Sequence, residues 1–259
     1  MQTLTESVMN KRTMVSNFKI IIEYDGTNFH GWQRQKEDRT VQGEIEKALQ
    51  TITGTRVILT GSGRTDSGVH ALNQVANFRC ETSLASDVFE RGLNSLLPDD
   101  IVIKECCKVH DSFHARYDAK SKIYHYRILN RPVAAAVGRQ YAWFIRKKLD
   151  KVAMRNAISL IIGIHDFKAF ESSGSPRTHT KRHVIAADLF EEDNATLVFR
   201  IEADGFLRFM VRTIVGTLVE VGLGKISPDD FKKILKSKDR SKAGATAPAT
   251  GLYLVEVKY

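Results

Sequence analysis

Hydrophobic positions in the first half of the chain switch between two periods. FKIIIEY (18–24) is a nearly continuous apolar run that ends at the turn residues Asp25, Gly26 and Asn28, which predicts a strand. TVQGEIEKALQTITG (40–54) places Val41, Ile45, Ala48, Leu49 and Ile52 on one helical face, with Thr40 as N-cap. Short strands are expected over 56–61 and 74–80. SDVFERGLNSLLP (86–98) returns to helical spacing through Val88, Phe89, Leu93, Leu96 and Leu97, with a Ser or Asp cap and Pro98 at its end. IVIKECCKV (101–109) reads as a strand. The order is β-α-β-β-α-β, the ferredoxin-like unit.

The second half repeats that order without repeating the residues. KIYHYRILN (122–130) predicts a strand, 148–163 a helix ended by Gly163, and 183–192 and 196–204 two strands around a turn. Helices over 205–222 and 227–238 and a closing strand over 251–259 follow. The expected fold class is α+β: two ferredoxin-like halves pair their edges into one mainly antiparallel sheet. Helices cover one face and the other is left to line a central cleft. The halves span 18–113 and 114–259, after a polar extension over 1–17 in which Met9 and Met14 are alternative starts. Residues 164–182 read as a long basic loop. It is either a solvated connection or a phosphate-contacting arm carrying Arg177, His179, Lys181 and Arg182.

Composition narrows the class. In 259 residues, 42% are hydrophobic, enough for a packed core. No apolar run approaches the ~18 residues of a membrane span, and the N-terminal stretch has no signal-peptide core. The cysteines are Cys80, Cys106 and Cys107; an odd count without an export signal points to a reducing, cytoplasmic setting. Cys106 and Cys107 are adjacent on a strand and face opposite ways, and the histidines form no ligand pattern, so no metal site is expected. The net charge is +9, which suits a polyanionic partner. Without a basic amphipathic helix, nucleic acid fits better than a membrane.

Candidate chemistry lies in GSGRTDSGVHA (61–71). Asp66 sits among Gly61, Gly63 and Gly68, and two readings stand: a turn or capping residue, or a reacting carboxylate. The stretch matches neither dinucleotide nor P-loop patterns. Arg208 and Arg212 are spaced i, i+4 near a helix N-terminus, where the macrodipole disfavours cations. They either snorkel to water or face an anion. Tyr124 and Tyr126 share a strand face and serve either packing or base stacking.

Together these pieces resemble the TruA family of tRNA pseudouridine synthases. YDGTNFHGWQRQ (24–35), GRTDSGVHALNQVANF (63–78), FHARYDAKSKIYHYRI (113–128), HDFKAF (165–170), MVRTIVG (210–216) and GLYLVEVKY (251–259) follow the family's motifs in order. The resemblance implies an isomerase that converts uridine to pseudouridine at positions 38–40 of the tRNA anticodon arm. It implies a homodimer that needs no cofactor or metal. Asp66 matches the essential carboxylate, acting on the base, on ribose C1′, or in glycal formation. Tyr124 matches the tyrosine that stacks on the uracil, Arg212 the residue that ion-pairs with the Asp and keeps it ionised, and Arg64 an arginine that contacts RNA and helps hold the base flipped out. Ser67 stands where Ala is usual, Phe209 and Thr213 where His and Asn are, and Arg208 where an aromatic is common.

Overall fold

The computed structural model describes residues 14–172, 179–192 and 195–259. The strands are β1 (Met14–Tyr24), β2 (Leu59–Gly61), β3 (His70–Thr82), β4 (Ile101–Val109), β5 (Ser121–Asn130), β6 (Trp143–Ile145), β7 (Gly163–Asp166), β8 (Lys181–Glu192), β9 (Thr196–Ala203) and β10 (Leu252–Lys258). The α-helices are α1 (Val41–Thr53), α2 (Ser86–Leu96), α3 (Lys151–Ser159), α4 (Met210–Gly222) and α5 (Pro228–Ser237).

One sheet runs β4-β1-β3-β10-β5-β9-β8-β7, with β2 paired to β3 and β6 to β5. The order β4-β1-β3-β2 of the first half recurs as β10-β5-β9-β8 in the second, so the expected repeat is present as topology. Pairing is antiparallel except for β3 with β10 and β5 with β6. The parallel β3–β10 contact is the seam between the halves, with Tyr253 opposite His70 and Leu254 opposite Ala71. His70 stacks on Tyr253 across it, ring centroids 4.8 Å apart, and accepts a hydrogen bond at Nδ1 from Gly26 N–H.

Local signals set the helices that the pattern foresaw. Thr40 accepts from Gly43 N–H at the start of α1, and Gly54 closes it in the left-handed region at φ 71°. Ser227 caps α5 through a reciprocal bond with Asp230, followed by Pro228. Phe18 of β1 meets Phe89 of α2 at 4.9 Å and stacks on Phe78 of β3 at 5.3 Å, which fixes the helix-bearing face of the first half. In α4 even Gly216 is a packing residue: a Cβ there would lie 1.7 Å from Ala245 O, so only glycine lets the 243–248 segment lie on the helix.

Several boundaries differ from the pattern. β1 begins at Met14, inside the stretch read as extension, because residues 14–17 pair with 79–82. Residues 1–13 lie outside the described residues. Helix α2 has Ala85 at its N-cap position and no side-chain cap bond. Helix α3 is only Lys151–Ser159, capped by Asp150, and Gly163 opens β7 at φ 101° instead of ending the helix. Helix α4 starts at Met210, not 205, because Phe209 takes a left-handed backbone (φ 62°) that no helix interior accepts. The loop read over 164–182 is in part folded: it contains β7, and Phe167, Ala169 and Phe170 are fully buried, Phe170 stacking on Phe231 of α5 at 5.6 Å. Arg177 of the expected arm lies outside the described residues. No helix among those described is long and apolar enough to cross a membrane.

Candidate active site

Residues 62–69 connect β2 to β3 and are fastened on two sides. On the β3 side, Ser62 N–H donates to Val75 O at 2.7 Å. The buried Gln74 amide meets Ser62 Oγ at 2.6 Å and donates to Gly63 O at 3.1 Å. On the other side lies the 29–32 turn. Trp32 N–H donates to Thr65 O (3.1 Å), Gly68 N–H to Phe29 O (3.2 Å) and Ser67 Oγ to the same carbonyl (3.2 Å). The Tyr24 hydroxyl, at the end of β1, is 2.8 Å from Thr65 Oγ1. Each buried polar group here has a partner, which makes the loop rigid.

The glycines do two local jobs. Val69 N–H donates to Asp66 O across a turn whose third residue, Gly68, has φ 77°. A Cβ on Gly61 would lie 2.6 Å from the Trp32 indole, so the bare backbone admits that ring. The turn is real, yet the Asp66 side chain does not cap it. The carboxylate instead accepts from Arg212 Nη1 at 3.4 Å.

Arg212 stands in the first turn of α4. Its Nε donates to Ala247 O (2.8 Å), and its own carbonyl accepts from Ala247 N–H (3.1 Å). This clamp aims the guanidinium at the Asp66 loop of the other half. Phe209 lies between two guanidiniums, with Arg208 Cζ at 4.9 Å and Arg212 Cζ at 4.8 Å from the ring centroid. Arg208 sits in the turn before α4, so the expected i, i+4 helical pairing with Arg212 is absent; the Phe209 ring joins them instead. Because Arg212 comes from a helix, and Tyr24 shares a β1 face with Phe18, the site lies on the helix-bearing face. The expectation that the bare face lines the cleft is therefore corrected.

Burial raises the Asp66 pKa above the usual carboxylate range, and Arg212 and then Arg208 oppose that rise without cancelling it. The ion pair thus offsets desolvation only in part. Tyr124 on β5 is 8% exposed and meets Phe206 edge-on at 4.9 Å. Burial pushes its phenol far above the ordinary value, with the Tyr24 hydroxyl and the Asp66 carboxylate adding to the rise. Tyr124 is therefore neutral at physiological pH and borders the Asp66 site. Tyr126 is core: it is fully buried and its hydroxyl donates to Pro248 O at 2.7 Å. Arg64 is exposed at the loop's outer side and has no ion pair among the described residues.

The geometry brings Asp66, Arg212 and Tyr124 together from β2–β3, α4 and β5, and keeps Arg64 at the rim. A family model described as tRNA pseudouridine synthase matches residues 20–118 and 157–259, covering both halves. The chain belongs to the tRNA pseudouridine synthase family. Among curated relatives, tRNA pseudouridine synthase A of Thermoanaerobacter sp. (strain X514) is 53% identical over 244 residues, 94% of this chain and 99% of the relative. The protein of the same name from Acetivibrio thermocellus is 52% identical over 243 residues, again 94% and 99%. A chain of a solved Cbf5–Nop10–Gar1 complex is 13% identical with a TM-score of 0.37, covering 96% of this chain and 59% of that one. The assignment to the tRNA pseudouridine synthase family rests on the sequence matches. Sequence reasoning passed over Tyr24, Trp32, Gln74, Phe206 and the Ala247 carbonyl in this family member. Tyr24, Trp32 and Gln74 lie inside quoted motifs, but each of the five acts through a contact with another segment that the motif does not reveal.

Proposed function

We infer that this family member isomerises uridine to pseudouridine in the anticodon arm of tRNA, at positions 38–40, with Asp66 as the reacting carboxylate. The observation that carries the reading is the Asp66 carboxylate: largely out of water, bound through one oxygen by Arg212 from the other half, and bordered by the neutral Tyr124. Arg212 orients Oδ2, while Oδ1 accepts no hydrogen bond from the described residues. A carboxylate whose basicity is raised by burial is a better nucleophile or base than one in water.

The reaction needs the C1′–N1 bond to break with its electron pair on N1. The uracil then turns and C5 bonds to C1′, so that the C5 proton is lost and N1 gains one. Asp66 serves this by attack at C1′ or on the base, or by promoting loss of the C2′ proton. A base within a stacked stem cannot present that bond, so the nucleotide flips out. Tyr124, which borders the site, supplies a face for the uracil, and Arg64 at the rim meets the backbone. The protein acts as a homodimer, as the resemblance to the TruA family implies, and in the cytoplasm, in keeping with its free cysteines. The test is to incubate the purified protein with unmodified tRNA and map pseudouridine at single-nucleotide resolution. Product at anticodon-arm uridines is expected; intact, folded protein that forms none on any tRNA overturns the reading.

A further inference from the structure

One cation near the Asp66 loop is not used by the chemistry above. Lys122 lies two residues before Tyr124 on β5, so both side chains leave the same face of the strand. Its aliphatic chain runs against the loop: a Cβ on Gly63 would sit 3.3 Å from Lys122 Cε and 4.0 Å from Nζ. The missing side chain at Gly63 leaves the ammonium reachable from the loop side. Burial holds the Lys122 pKa below the ordinary lysine value, and the Arg116 charge lowers it further.

Among the described residues no carboxylate answers this charge. Among the described residues Lys122, Arg116 and Arg64 have no ion pair, whereas Lys151, Lys168 and Lys258 each hold a carboxylate within 2.9 Å. The charges that act on Asp66 are those of Arg212 and Arg208, so Lys122 is not part of the Asp66 ion pair. A half-buried lysine beside another cation costs free energy unless an anion completes the arrangement. On a chain of net charge +9 whose substrate is RNA, that anion is a phosphate.

We propose that Lys122, with Arg116, forms a seat for one backbone phosphate flanking the uridine that enters the Asp66 site. The seat fixes the flipped nucleotide by its backbone while Tyr124 meets the base. This rests on the tRNA-modifying reading above.

The test combines Lys122→Met with full-length tRNA carrying a single neutral methylphosphonate, placed in turn at the linkages on either side of the target uridine. At one linkage the wild-type protein should lose about tenfold in affinity. Lys122→Met should bind all-phosphate tRNA about tenfold more weakly, reduce the slope of log K against log salt by about 1, and show no further loss with that methylphosphonate. Its melting temperature should equal or exceed the wild type, since a desolvated charge has been removed. Wild-type affinity for Lys122→Met, or losses from variant and methylphosphonate that simply multiply, overturns the seat. The wild-type scan needs no variant, so absence of any sensitive linkage overturns it even if Lys122→Met fails to fold. Wild-type protein that binds with these sensitivities yet forms no pseudouridine removes the enzymatic reading and leaves the phosphate seat standing.

Discussion

Arg39–Asp100 and Arg212–Asp66 both join distant segments of this molecule, and they are built differently. Arg39 and Asp100 form two parallel bonds of 2.8 Å each, with the guanidinium over the Phe29 ring at 4.1 Å. Arg212 and Asp66 share one contact of 3.4 Å, and Arg212 spends its Nε on Ala247 O. The looser pair has the drier arginine, 15% exposed against 36% for Arg39. In the tight pair the hydrogen bonds to Asp100 dominate and raise the Arg39 pKa. In the loose pair burial dominates and raises the Asp66 pKa. A pair that fastens structure consumes both carboxylate oxygens; a carboxylate meant to react keeps one oxygen uncommitted.

Substitutions can break that contrast. The largest effect is expected from Asp66→Asn, which keeps the shape and removes the charge: turnover on tRNA falls ~10³-fold or more, measured in single-turnover assays, while tRNA binding largely survives. The same change should raise the melting temperature at neutral pH. The folded state holds the Asp66 proton more tightly than the unfolded chain. Its contribution is therefore fully present below the ordinary carboxylate value and lost as pH rises through the raised one. A melting temperature lowered by Asp66→Asn would place this pair with the structural kind.

Arg212→Met should come next, with kcat reduced ~10²-fold. The active form is the carboxylate, so kcat/KM rises with pH through the displaced Asp66 value and is lost as pH falls. Removing the larger of the two opposing cations moves that acidic limb to higher pH. A limb that stays in place would remove Arg212 from the electrostatics of Asp66. The smallest effect is expected at the other pair. Asp100→Asn should cost about 1 kcal/mol of stability, read from denaturant melts, and leave turnover unchanged. A large loss of turnover there would erase the distinction between the two pairs.

What was legible follows the range of the forces involved. Strand 101–109 and the helix between Thr40 and Gly54 were readable because their caps, breakers and periods lie within a few residues. The 164–182 segment was misread because Phe167 and Phe170 owe their burial to packing from far along the chain, and for Phe170 the partner is Phe231. The start of α4 was misread because apolar spacing continues through Leu207, while Phe209 turns the backbone left-handed between two arginines. At the site, the motifs singled out Asp66, Tyr124, Arg64 and Arg212 as candidates, but the implied balance of charge was not readable. Arg212 lowers the Asp66 pKa but burial raises it by more, and burial is a property of assembled segments.

The sequence by itself determined the element order, its repetition in two halves, the family and the candidate carboxylate, because periodicity, capping and motif chemistry are local in the chain. Tertiary structure alone decided that the site lies on the helix-bearing face, that Arg212 is clamped by Ala247, that Tyr126 is core while Tyr124 borders the site, and that Lys122 has no ion pair among the described residues. These depend on how far each charge is withdrawn from water and what faces it, and only the folding of distant segments against one another sets both.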